Sequence, residues 1–176
     1  GENLTLFTVP TNCTAEIKIK VPDAQDDCVE SSPTIHKIIS AAITSSTPPG
    51  PESIIDAVDL HIGPFNPSTA LPLSDGLLEV RLVNMDIDDV TEFFNIFDED
   101  GNMLGTTTVG AGQCATTEMT ILLPINKIET WIANDGYIDL KFVPNMVAGS
   151  PVLSINNICG GSKIEVSITY ETDISN

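Results

Sequence analysis

The chain has 176 residues, enough for one domain with a sizeable hydrophobic core. Seven lysines and arginines against 25 aspartates and glutamates give a formal net charge of −18, while 41% of the residues are apolar. The apolar fraction argues against a disordered chain, and the negative charge repels phosphate backbones and anionic lipids. We therefore expect a folded protein that binds no nucleic acid. No apolar run is long enough for a membrane span, so we expect no membrane insertion.

The first third of the chain ends at a proline-rich break. Residues 3–9 and 15–21 alternate apolar and polar side chains, which predicts two strands. Residues 35–43 are apolar and fit either a strand or a short helix, because their periodicity does not distinguish the two. Residues 44–51 hold three prolines and a glycine, which exclude regular structure. We therefore expect an N-terminal extension over residues 1–51, with strands able to pair with another copy of the chain.

The rest of the chain, residues 52–176, reads as short strands joined by acidic turns. The clearest strands are residues 78–82, 138–142 and 164–170. Their period of two places one face in a core and the other in water. An Asp-Gly step within residues 98–102 predicts a hairpin, and a proline followed by apolar residues at helical spacing predicts one helix over residues 124–134. This pattern predicts an all-β fold, a two-sheet antiparallel sandwich of jelly-roll type with one short helix.

Four cysteines in an acidic all-β chain indicate an oxidising compartment. Four cysteines can form two disulfides in three alternative ways. Sequence order favours the one with two local disulfides, Cys13–Cys28 and Cys114–Cys159. Zinc is the competing interpretation. Because the chain has no C-x-x-C motif and only His36 and His61 as further nitrogen ligands, the sequence argues against a zinc site.

Two acidic clusters are candidate cation sites. The first puts four carboxylates within seven residues: Asp86, Asp88, Asp89 and Glu92. Such carboxylates repel one another unless they are solvated or neutralised, and Ca²⁺ binds several carboxylate oxygens at once. A calcium site and a plain acidic loop remain the two alternatives there. The second cluster, residues 98–102, has its glycine in the fourth position where an EF-hand needs it in the sixth, so we expect a solvated hairpin.

Neither catalysis nor sugar stacking has a clear signature. The chain has no G-x-S-x-G motif, and neither histidine lies in a recognisable triad context, so we expect a non-enzymatic protein. Few aromatic residues remain for a sugar platform, because Trp131 lies on the predicted helix and is expected to pack onto the sandwich. Carbohydrate binding is therefore an alternative function.

The N-terminal strand offers a route to self-assembly. A detached strand can complete the sheet of a neighbouring copy through main-chain hydrogen bonds, with Leu4, Leu6 and Val9 filling the neighbour's groove. The alternative is that this strand pairs within its own sheet.

Six stretches carry a resemblance to known proteins: residues 75–80, 92–105, 112–114, 124–134, 156–159 and 163–170. Through them, residues 73–171 resemble a loose group of secreted bacterial β-sandwich modules found in cell-surface and adhesin-like proteins. The resemblance implies an extracellular or cell-surface location and pairing of Cys114 with Cys159, and it does not extend to residues 1–71.

These observations predict a non-enzymatic extracellular structural subunit that assembles with copies of itself, by strand exchange, into a filament or surface appendage. The alternative is a calcium-dependent adhesion module or a carbohydrate-binding module with surface glycans as its partners.

Overall fold

The computed structural model describes residues 33–43, 55–146, 155–156 and 158–172. The elements of this part of the chain are β1 (Thr34–Ala42), β2 (Val58–Ile62), β3 (Gly76–Ile87), β4 (Phe94–Asp98), β5 (Met103–Thr106), β6 (Gly112–Leu123), α1 (Ile125–Asp135), β7 (Ile138–Pro144) and β8 (Lys163–Glu171).

The strands form two four-stranded antiparallel sheets, in the orders β1-β8-β3-β6 and β2-β7-β4-β5. The first strand along the chain lies beside the last, the second beside the second last, and so on inward: β1 with β8, β2 with β7, β3 with β6 and β4 with β5. A chain folded in half and then rolled up has this order, which is that of a jelly roll. The predicted sandwich is confirmed.

The core lies between the sheets because the strands alternate as predicted. In β3, Leu78, Val80 and Leu82 are buried, whereas Glu79 and Arg81 between them are exposed. β7 and β8 alternate in the same way, so each contributes one apolar face to the core. Burial of these faces provides most of the driving force for folding.

The single helix predicted in the second half is also present, as α1. Its buried face consists of Ile128, Trp131 and Ile132, which belong to the same core as the sheets. Gly136 ends the helix with a left-handed φ of 80°, and its N–H donates to Ile132 O. No helix in the described residues is long and apolar enough to cross a membrane.

β1 lies inside the range that the sequence assigned to the N-terminal extension. It is a strand at the edge of the first sheet and pairs with β8 from Thr34↔Glu171 to Ala42↔Lys163. Its inward positions, Ile35 and Ile39 among them, are only partly buried, which is why the periodicity of this stretch is weak. The strands predicted at residues 3–9 and 15–21 lie outside the described residues, as do Cys13 and Cys28.

Candidate metal centre

The alternation of β3 breaks immediately before Asp86, which lies in the interior. The pairing of β3 with β6 shifts register between Leu82 and Met85 and again between Met85 and Ile87. Asn84 takes a left-handed φ of 54°, a conformation that asparagine tolerates better than most residues. After this bulge three consecutive residues, Met85 to Ile87, are buried, and only 3% of the Asp86 surface is exposed to solvent.

The loop after β3 is a tight turn that positions Glu92. Asp89 Oδ1 accepts hydrogen bonds from the backbone N–H and the hydroxyl of Thr91, both at 2.9 Å. In return, the Asp89 N–H donates to Glu92 Oε2 at 2.8 Å. This arrangement is a variant of the capping box, in which the first side chain accepts from the third residue and the fourth side chain accepts from the first. The Glu92 side chain also interacts with the Asp88 side chain.

The turn is anchored to the second sheet. The Asn145 side chain donates to Thr91 O at 2.8 Å, and the Asn145 N–H donates to Phe93 O at 2.8 Å. The chain therefore crosses from β3 in one sheet to β4 in the other with the end of the turn bonded to the residue that follows β7. Glu92, which lies between Thr91 and Phe93, is 1% exposed.

Three carboxylates converge at this crossing: Asp86, Asp88 and Glu92. One oxygen from each lies within 4.8 Å of the others, and within the described residues no other group of three potential metal ligands comes as close together. Asp86 and Glu92 are buried, whereas Asp88 is exposed. At this spacing, like charges repel by on the order of 3 kcal/mol per pair in a partly solvated site. The arrangement is therefore costly unless a proton or a cation neutralises it.

Asp86 carries an unsatisfied acceptor. Its Oδ1 is buried and has no hydrogen-bond partner. A buried carboxylate oxygen without a partner incurs the full cost of its desolvation, and such atoms in folded proteins commonly indicate an ion or a water.

The pKa values respond to this environment. Burial first, then the charges of Asp86 and Asp88 and a side-chain hydrogen bond with Asp88, raise the pKa of Glu92 from its usual 4.5 to about 6, against a lowering by the Asp89 amide. Burial followed by the charge of Asp88 raises the pKa of Asp86, against a lowering by a hydrogen bond from the Asn156 side chain. By contrast, the hydrogen bonds from Thr91 lower the pKa of Asp89. Without a cation, Glu92 and Asp86 therefore bind protons more tightly than exposed carboxylates do.

The structure brings together three of the four residues that the sequence proposed as calcium ligands. The fourth, Asp89, is absent from the cluster because its carboxylate holds the turn. The pattern Asp89-Val90-Thr91-Glu92 is the sequence signal for this role, since an acidic or hydroxyl residue three positions before a glutamate predicts a capping box.

Asn156 is a residue of the site that the sequence did not single out. It is buried, its side chain bonds Asp86, and its Oδ1 accepts the Ile158 N–H at 3.1 Å. It reaches Asp86 from the segment between β7 and β8, so only the tertiary fold brings the two together.

The second acidic cluster has a structural role. Residues 98–102 form the predicted hairpin between β4 and β5, but Asp98 is buried. Its Oδ1 accepts the backbone N–H groups of Asp100 at 3.1 Å and Asn102 at 2.7 Å, and Oδ2 pairs with the Lys127 ammonium. Burial raises the pKa of Asp98, but the hydrogen bonds and the charge of Lys127 together with Asn102 outweigh it, so the pKa is lowered.

The Asp98–Lys127 pair should contribute measurably to stability. We expect Lys127→Met, which keeps the aliphatic stem, to lower the free energy of unfolding by about 1.5 kcal/mol because it leaves the Asp98 carboxylate without its cation. Urea denaturation at pH 7 measures this loss. Lys141→Met is the matched control, since Lys141 lies 3.9 Å from Asp59 in an exposed pair and should cost less than about 0.5 kcal/mol. Equal losses in the two variants would contradict the assignment.

Neither histidine contributes to the metal centre. His36 Nδ1 lies 2.9 Å from the Thr169 hydroxyl on the outer face of the first sheet. His61, on the exposed face of β2, stacks on Tyr137 with ring centroids 3.8 Å apart and pairs with Asp139. Trp131 is buried, as expected from its place on the helix, and so is not available for stacking a sugar ring.

No protein-family model matches this chain, and no curated protein matches it. Among solved structures, the chain is similar to the C-terminal CBM6 of LamC, a marine laminarinase from Zobellia galactanivorans. The match covers 79% of this chain and 100% of that chain, with 14% identity and a TM-score of 0.34. A similarity of this size carries no argument about function.

Proposed function

We propose that the chain is a non-catalytic extracellular binding module, a jelly-roll sandwich in which a divalent cation holds the crossing from β3 to β4. The observation that carries the proposal is the buried, unpartnered Oδ1 of Asp86 beside the carboxylates of Asp88 and Glu92. A cation there supplies the missing partner of Asp86 and neutralises the repulsion at the same time. The Cys114–Cys159 disulfide supports an oxidising, extracellular location.

Calcium is the cation that best fits this donor set. The three groups are carboxylates, with no histidine or cysteine among them, which disfavours zinc. The oxygen ligands of Ca²⁺ lie about 2.3–2.6 Å from the ion, so two oxygens on opposite sides of the ion are about 5 Å apart. Mg²⁺ holds oxygens at about 2.0–2.1 Å and requires a tighter, near-octahedral cluster. The observed limit of 4.8 Å accommodates the calcium geometry.

Calorimetric titration of Ca²⁺ into chelator-treated protein tests the proposal. We expect one site per chain, with binding weakened more than about 10-fold in Asp86→Asn and in Glu92→Gln, because each substitution removes a charged ligand. Asp100→Asn is the matched control, since Asp100 is an exposed carboxylate of the β4–β5 hairpin. Undetectable heat with the unsubstituted protein, or equal affinity in all variants, would exclude the site. Parallel titrations with Mg²⁺ and Zn²⁺ test the preference for calcium.

Surface glycans are the partners that we propose for the module. The outer face of the first sheet has a shallow depression of about 420 Å³, formed by residues of β1, β3, β6 and β8 that include charged side chains and the exposed Ile38. Arg81 lies across it between Glu165, at 2.9 Å, and Glu118, at 3.1 Å. Carboxylates and a guanidinium held in fixed positions are suitable hydrogen-bonding partners for sugar hydroxyls. Glycan-array binding of the unsubstituted protein and of Arg81→Ala, each with and without Ca²⁺, tests this assignment.

Self-assembly by strand exchange is a second candidate function. The observation in its favour is that both edges of the first sheet are long: β1 has nine residues and β6 has 12, and neither has a second neighbour among the described strands. Such edges are templates for an added strand. Light scattering at high concentration tests it. We expect polymers of the unsubstituted chain that disappear in Leu4→Asp/Leu6→Asp, and a monomer in both cases removes this function.

A further inference from the structure

The Cys114–Cys159 disulfide lies beside the part of β3 that carries Asp86. Cys114 lies in β6, where the neighbouring residues Gly112 and Ala115 pair with Ile87 and Met85 of β3. Cys159 lies in the segment between β7 and β8, and the two Cα atoms are 5.4 Å apart. The bond therefore ties this segment to β6 next to the residues that pair with Met85 and Ile87.

The segment that holds Cys159 is also bound directly to β3 beside the metal centre. The Asn84 side chain donates to Gly160 O. Ser162 Oγ lies 2.6 Å from Asn84 O and 2.7 Å from Cys159 O. Asn84 is the residue with positive φ at the bulge, two residues before Asp86. The Cys159 segment thus contacts the backbone of β3 next to Asp86.

Asn156 connects the disulfide to the carboxylates. It precedes Cys159 by three residues and is buried, with its Oδ1 bonded to the Ile158 N–H beside the cysteine. Its side chain hydrogen-bonds the Asp86 carboxylate. A displacement of Cys159 therefore moves the group that orients Asp86.

We infer that the Cys114–Cys159 disulfide is a positioning element of the cation site, so that disulfide formation and cation binding strengthen each other. This inference rests on the proposed cation site. In the oxidised chain the disulfide holds Asn156 against Asp86 and keeps the three carboxylates close together. In the reduced chain the 155–162 segment is no longer tied to β6, and binding must pay for ordering it. Thermodynamic linkage then requires the cation to stabilise the disulfide by the same factor.

Affinity for Ca²⁺ measured by calorimetry on full-length variants tests the inference. We expect about 10-fold weaker binding in Cys114→Ala/Cys159→Ala and binding within about twofold of the unsubstituted chain in Cys13→Ala/Cys28→Ala, which removes the other two cysteines. Circular dichroism verifies that each variant is folded. Equal affinities in the two double variants overturn the inference. Absence of binding to the unsubstituted chain overturns the cation site itself, and the inference with it.

Two further measurements separate positioning from general stability. Asn156→Ala, which keeps the disulfide, should weaken Ca²⁺ binding by a similar factor, and combined with Cys114→Ala/Cys159→Ala it should add little. This variant also provides the test if the cysteine variant does not fold. Additive losses show that the disulfide acts by another route and overturn the inference.

The second measurement is the reduction equilibrium of the disulfide. A dithiol breaks the Sγ–Sγ bond: two electrons and two protons convert the sulfurs to thiols, and the dithiol is oxidised to its own cyclic disulfide. We expect saturating Ca²⁺ to make Cys114–Cys159 about 10-fold harder to reduce, the same ratio as for the affinities. A reduction equilibrium unaffected by Ca²⁺ contradicts the coupling.

Discussion

Calcium added to chelator-treated protein at pH 7.5 should raise the melting temperature by about 5 to 10 °C. A ligand at about 100 times its dissociation constant stabilises a folded protein by about 2.7 kcal/mol. For a chain of this size each kcal/mol corresponds to about 2–4 °C. The physical source of the gain is the partner that the cation supplies to the buried Asp86 Oδ1 and the charge that it neutralises between Asp86 and Glu92.

Substitution of a carboxylate in the cluster should suppress the rise in melting temperature, whereas substitution of an exposed carboxylate elsewhere should not. In Glu92→Gln the shift should fall below about 2 °C, because a neutral amide is a weaker ligand for a hard cation. In Asp100→Asn the shift should remain complete. Differential scanning calorimetry with saturating Ca²⁺ and with chelator measures both. A rise of the same size in both variants would show that Ca²⁺ acts through the general negative charge of the chain, and not at this site.

Much of the scaffold could be predicted from sequence because its physics is local. The alternation in β3, β7 and β8 reports one face in the core and one in water, and the Asp-Gly step reports the β4–β5 hairpin. The same reasoning did not distinguish strand from helix for β1. That strand lies at a sheet edge with its inward residues half exposed, so burial imposes only a weak pattern on it.

The carboxylate cluster, too, was predictable where its residues are close in sequence and not where only the tertiary fold brings them together. Asp86, Asp88 and Glu92 could be proposed together because they lie close in sequence. Asp89 does not converge with them, and the sequence did not anticipate this because composition does not distinguish a carboxylate in the cluster from one that caps a turn. Asn156 could not be found, since it meets Asp86 only after β8 has paired with β3.

The bulge in β3 marks the limit of reasoning by periodicity. Continuing the alternation of Leu78, Val80 and Leu82 would place residues 84 and 86 in the core and residues 85 and 87 on the exposed face. At the bulge, where Asn84 has a left-handed φ, Asn84 is instead half-buried and residues 85–87 are all buried. The strand therefore buries a charged residue, Asp86, between two apolar ones. Departures from the local rule of this kind are expected at functional sites, where the fold accepts a cost for the sake of the site.

Without a cation, the protein should become more stable as the pH falls from 7.5 to 5. The pKa of Glu92 is about 6 in the folded protein against 4.5 ordinarily, so the folded state binds its proton more tightly. The contribution of Glu92 is therefore complete below pH 4.5 and is lost as the pH rises through 6. The shift corresponds to about 2 kcal/mol in full, of which about 1.2 kcal/mol is gained by pH 5. The raised pKa of Asp86 acts in the same direction.

Urea denaturation at pH 7.5, 6.5, 5.5 and 5, in chelator and in saturating Ca²⁺, measures this profile. The gain should shrink in chelator-treated Glu92→Gln, which carries no charge at any pH, although part of it remains because the whole chain repels itself less as its negative charge falls. In Ca²⁺ the trend should reverse for the unsubstituted protein, since protons then compete with the cation for the same oxygens. A chelator profile that is identical in the unsubstituted protein and in Glu92→Gln would show that Glu92 is not buried beside other carboxylates, and would remove the electrostatic basis of the site.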